Sequence, residues 1–60
     1  MASISELHKA IIKGQIALVK ELANSLKQSG VDISGEIAFA NKLCKINPGN
    51  AIKKIVEVLQ

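Results

Sequence analysis

Cysteine is almost missing from this chain: Cys44 is the only one in 60 residues. No disulfide can form within one copy, so the usual staple of a small domain is excluded. His8 is the single histidine, and with one thiol it cannot complete a four-ligand zinc site. Arginine, Trp and Tyr do not occur, and Phe39 is the lone aromatic. Arginine forks onto guanine and phosphate, and aromatic rings stack on bases, so the main devices of nucleic-acid recognition are lacking. Apolar runs extend only a few residues, too short to cross a bilayer. The start, Met1-Ala2-Ser3-Ile4-Ser5-Glu6, lacks the basic stretch and apolar run of a secretory signal. With the unpaired cysteine, this predicts a reduced, cytoplasmic setting.

What is present is aliphatic. Nine Ile, six Leu and four Val lie far above the range of disordered segments and predict one folded domain over residues 1–60. A chain this short buries only roughly 60% of the surface its unfolded form exposes. Such an aliphatic excess predicts an association face, shared with a second copy or another protein. Charge comes from eight lysines against Glu6, Glu21, Asp32, Glu36 and Glu57, a net of +3. Lysines spaced along helices read first as a solvated face.

Periodicity predicts an all-α fold of four short helices. Ser3-Ile4-Ser5-Glu6 has the form of a capping box, opening a helix over 4–12 with Ile4, Leu7, Ala10 and Ile11 on one face. Gly14 breaks it, and a second helix from Gln15 brings Ile16, Val19, Leu22, Ala23 and Leu26 into line, ending at Gly30 in a left-handed cap. Val31 and Ile33 are expected to pack under a third helix over 36–46. There Ile37, Ala40, Leu43 and Cys44 form a line, with Phe39 and Ile46 beside it. Asn47-Pro48-Gly49-Asn50 punctuates the chain, and a fourth helix runs from Pro48 or Ala51 to Leu59, turning Ile52, Ile55, Val56 and Leu59 inward.

The two halves overlay. Leu7-His8-Lys9-Ala10 matches Leu43-Cys44-Lys45-Ile46, and Leu18-Val19-Lys20-Glu21-Leu22 matches Ile55-Val56-Glu57-Val58-Leu59, with Gly14 and Gly49 between the members of each pair. The pattern predicts two helix-turn-helix hairpins, over 4–30 and 36–60, stacked side by side so that each buries a face it cannot cover alone.

The first half resembles an ankyrin repeat through Leu7-His8-Lys9-Ala10, Gly14, Leu18-Val19-Lys20-Glu21-Leu22 and Gly30-Val31-Asp32. That resemblance covers residues 6–33. It implies a hydrogen bond from His8 to backbone near the preceding turn, and a tight turn between antiparallel helices at Gly14. The chain departs from the pattern in a longer segment from Leu22 to Gly30, in having no Thr-Pro ahead of Leu7 or Leu43, and in Cys44 where the family has its second His. A weaker likeness, through Ala10, Gly14 and Gly30-Val31-Asp32, runs to the helical domain that precedes the cobalamin-binding domain of corrinoid proteins. The His ligand motif of that second domain has no counterpart here, so no cofactor is expected.

Weighed singly, His8 reads as a satisfied hydrogen-bonding group, since no nucleophile or carboxylate stands at a meaningful spacing for catalysis. Cys44 reads as a small hydrophobe, with no cation cluster to activate it. Asn47-Pro48-Gly49-Asn50 lacks the glycine spacing and Lys-Ser/Thr ending of a phosphate loop. No catalytic, metal-binding or cofactor-binding residue is therefore expected, and the chain is not expected to be an enzyme. What remains is a contact surface. Ile12, Leu18 and Val58 fall off the main stripes, and Lys9, Lys13, Lys53 and Lys54 supply a basic rim. These predict a protein–protein interaction or docking module, engaging another protein or a second copy of itself. One alternative is a cationic amphipathic, bacteriocin-like peptide lying on a membrane surface. The other, a small basic nucleic-acid-binding protein, rests on charge alone.

Overall fold

A computed structural model describes residues 2–60, and all of their regular structure is helical: α1 (Ile4–Lys13), α2 (Ile16–Gln28), α3 (Ser34–Ile46) and α4 (Asn50–Leu59). Each boundary has a local cause. The Ser3 hydroxyl accepts from the Glu6 amide at 3.2 Å and opens α1, as the capping box requires. The Glu6 carboxylate meets that hydroxyl at 3.4 Å instead of reaching the Ser3 amide. α1 closes on Gly14, whose φ of 73° places it in the left-handed region. There the Gly14 amide donates to the Ile11 carbonyl and the Gln15 amide to the Ala10 carbonyl, the paired bonds of a Schellman cap. α2 ends the same way: Gly30 (φ 78°) donates to Lys27 and Val31 donates to Leu26.

α3 starts at Ser34, ahead of the expected position, because the Asp32 carboxylate accepts the Ser34 amide at 2.9 Å and fixes the entry turn. That hydrogen bond holds the Asp32 carboxyl below the usual aspartate value, since it favours the charged form. α4 starts at Asn50, between the two expected positions, with Gly49 as its extended, uncapped leader. The other end of α4 is held from outside. Lys27, in the last turn of α2, donates to the Leu59 carbonyl at 3.3 Å and brings a cation to a helix C-terminus that has none of its own.

α1 packs against α2 and α3 against α4, giving the two expected hairpins; α2 then lies on α4 and α1 on α3. Contacts fix the polarity of the stack. His8 meets Glu36, and one turn further along α1 and two turns further along α3 Ile11 and Leu43 share a groove, so α1 and α3 run parallel. Gly14 approaches Ala51 at one end while Lys27 reaches Leu59 at the other, so α2 and α4 run parallel too. The two hairpin turns therefore lie together at one end of the molecule.

The core is made by Leu7, Ala10, Ile11, Val19, Leu22, Ala23, Leu26, Ile33, Ala40, Ile55 and Leu59. Every inward residue expected on α2 except Ile16 is buried, because α2 packs against both α1 and α4. α3 behaves differently. Ala40 alone is buried there, while Ile37, Phe39, Leu43 and Cys44 are half-buried, since α3 sits at the edge of the stack. Ile4, expected inward, is exposed in the first turn of α1. Of the pair before α3, Ile33 is buried and Val31 is exposed.

Candidate functional site

The surface feature that stands out is an open groove at the turn end, of about 330 Å³, lined by Ile11, Ile12, Lys13, Gly14, Leu43, Asn47, Ala51, Ile52 and Ile55. It forms where the C-terminal ends of α1 and α3 meet the start of α4. α1 supplies one wall through Ile11 and Ile12. Ile11 turns into the core, whereas Ile12, one position on, is 61% exposed. Leu43 of α3 forms the second wall, and Ile52 and Ile55 of α4 the third. The Gly14 turn sits in the lining because α4 runs close beneath it: a Cβ built there meets the Ala51 Cβ at 3.7 Å. Ile46, the last residue of α3 and next in the chain to Asn47, is 69% exposed. Polar side chains in the lining are few, Lys13 and Asn47.

Of the residues expected at a contact surface, Ile12 and Lys13 line this groove. Lys9 stands one turn before Lys13 on α1, and Lys53 and Lys54 follow Ile52 on α4; all are exposed, and none is in the groove lining. Lys54 is tied to Glu57 at 3.8 Å, both side chains largely in solvent. Leu18 is 40% exposed but lies on α2, away from the groove. Val58 needs correction. It is half-buried and packed against the core, because α4 is covered by α2 on one side and α3 on the other, which widens its buried face beyond one stripe. Ile55, read from the sequence as core, is fully buried and forms the base of the groove; Leu43 and Ile52, also read as core, pack against it half-buried and wall the groove. Periodicity marks a helix face as apolar and does not distinguish a core floor from a groove wall.

His8 lies elsewhere, at the junction of α1 and α3. Its Nδ1 donates to Glu36 Oε1 at 2.8 Å, and its ring stacks on Phe39 with centroids 4.2 Å apart. The backbone bond implied by the ankyrin resemblance is not made. Glu36 offers a closer partner across the hairpin interface, and an ionised carboxylate can only accept. The arrangement has the character of a joint between hairpins. Cys44 is a free thiol, half-buried. Among the described residues no three His, Cys, Asp or Glu side chains gather closely enough to hold a metal ion. No helix is long and apolar enough to cross a membrane. No protein-family profile, no curated protein and no solved structure matches this chain.

Proposed function

We propose that this chain is a non-enzymatic docking module that receives an amphipathic helix of another polypeptide in the groove between α1, α3 and α4. One observation carries the reading: an aliphatic concavity open to solvent, with Ile12 standing out at its edge. A small domain gains by covering such surface, and grooves of this kind take side chains at the i, i+3, i+4 and i+7 positions of a helix. The ankyrin-like reading belongs to the same proposal, because stacked hairpins of like polarity form binding surfaces between neighbouring units.

The test is amide chemical-shift mapping with a designed amphipathic helix of about 18 residues carrying a leucine stripe. The expected result is saturable shifts centred on Ile11, Ile12, Leu43, Asn47 and Ile52, with Leu18 unaffected. Shifts scattered over the surface, or none, would sink the reading. Circular dichroism addresses the membrane-surface alternative. On the docking reading the helices are expected to be formed in plain buffer, whereas a membrane-active peptide becomes helical only when anionic vesicles are added.

A further inference from the structure

We infer that the helix this groove receives is an acidic one, and that the groove is closed to a second copy of the chain itself; this deepens the docking reading above and rests on it. The inference comes from where the charges fall once the hairpins are stacked. The half-helices that build the groove are the second halves of α1 and α3 and the first half of α4. They carry Lys9, Lys13, Lys42, Lys45, Lys53 and Lys54, all exposed, and no Asp or Glu. The acids lie elsewhere. Glu6 and Glu36 sit in the first turns of α1 and α3, at the opposite end, and Glu36 is engaged by His8. Glu57 is in the last turn of α4, Glu21 is on α2, which gives the groove no lining residue, and Asp32 is in the turn before α3. Among the described residues Lys54 alone of the six is in an ion pair, through an exposed contact one turn along its own helix.

An aliphatic floor with Lys13 and no acid in its lining, built from half-helices that carry six exposed lysines and no acid, selects the complementary helix: apolar on one face, with glutamates or aspartates flanking that face. Complementary potentials of this kind raise the association rate and reject wrong partners more than they add raw affinity. The same charge pattern argues against self-association through this face. A two-fold dimer sets one patch against its own copy. Here that would bring Lys13 of one copy against Lys13 of the other with no acid in the lining, which is a like-charge cost. Concavity separates a helix from a lipid surface, since a groove accepts side chains while a bilayer is met by a protruding face.

The test uses the full chain and two labelled peptides of the same leucine-striped design, one flanked by glutamates and its twin with a lysine at each of those positions. Fluorescence anisotropy at low and high salt reads the binding, and sedimentation velocity reads the protein's own association state. The acidic peptide is expected to bind roughly 30-fold more tightly than its twin, and to weaken as salt rises. Lys13→Glu combined with Lys53→Glu is expected to weaken the acidic peptide roughly 10-fold and to strengthen the basic one, with circular dichroism unchanged. Ile12→Asp, at a surface position that leaves the core intact, is expected to weaken the acidic peptide roughly 30-fold. If both peptides bind equally and Ile12→Asp abolishes both, the acidic-partner inference is overturned while groove docking stands. A dimer that Ile12→Asp dissolves would put a second copy in the groove and overturn the inference as well. If neither peptide binds, inference and docking reading fail together.

Discussion

Gly30 and Gly35 lie on either side of the Asp32 turn and respond in opposite ways to an added methyl group. Neither has an atom within 4 Å of where a Cβ would stand, so space is not the issue. Gly30 is in the left-handed region, where an L side chain crowds the following carbonyl. Gly35 is in the first turn of α3 with no positive φ, and its glycine only adds freedom to the unfolded chain. Gly30→Ala is therefore expected to cost about 1 kcal/mol and lower the melting temperature by about 4–8 °C. Gly35→Ala is expected to raise stability by about 0.5–1 kcal/mol. Thermal unfolding of the pair checks this, and equal shifts would refute the conformational account. Single residues were also where the sequence was most legible. Ser3, Gly14 and Gly30 act through bonds to neighbours a few positions away, so their roles could be read without knowing the fold. Val58 could not, because its burial depends on how many helices lie over α4.

At the scale of elements, the hairpins were legible and their joint was not. Gly14 and the Asn47-Pro48-Gly49 break divide the chain, and the three- and four-residue spacing marks the faces that must meet. Nothing local announces that His8 will find Glu36, because that contact spans 28 residues and appears only when α1 and α3 are laid parallel. The groove was half legible for the same reason. Ile12 and Lys13 fall off the stripe and were marked as surface, while Leu43 and Ile52 belong to stripes that read as core. The joint itself can be weighed. His8→Ala removes both the hydrogen bond to Glu36 and the ring contact with Phe39, and is expected to cost about 1–2 kcal/mol. His8→Phe keeps a ring against Phe39 and is expected to cost less than His8→Ala. Urea unfolding of the two variants separates the contributions, and equal losses would show that the stacking on Phe39 contributes nothing.

For the molecule as a whole, the stability of a chain this size is about 3–9 kcal/mol. No disulfide adds to it, and the buried aliphatic cluster has to supply most of it. Leu59, the last residue of α4, is fully buried. Leu59→Ala is expected to cost about 2–4 kcal/mol, which removes much of that margin. Loss of the cooperative thermal transition, or a large fall in its midpoint, is the expected readout; an unchanged midpoint would mean that this side chain does not anchor α4. The Lys27 bond to the Leu59 carbonyl has a consequence for the order in which the molecule opens. Helix ends normally fray, exchanging their amide protons through small excursions that leave the rest intact. Here the last turn of α4 is held from α2 by that bond and from within by a side chain at the core's centre. Amide protons in the last turn of α4 are thus expected to be protected in hydrogen exchange as strongly as those at its middle, with α4 and α2 letting go of their hydrogens together.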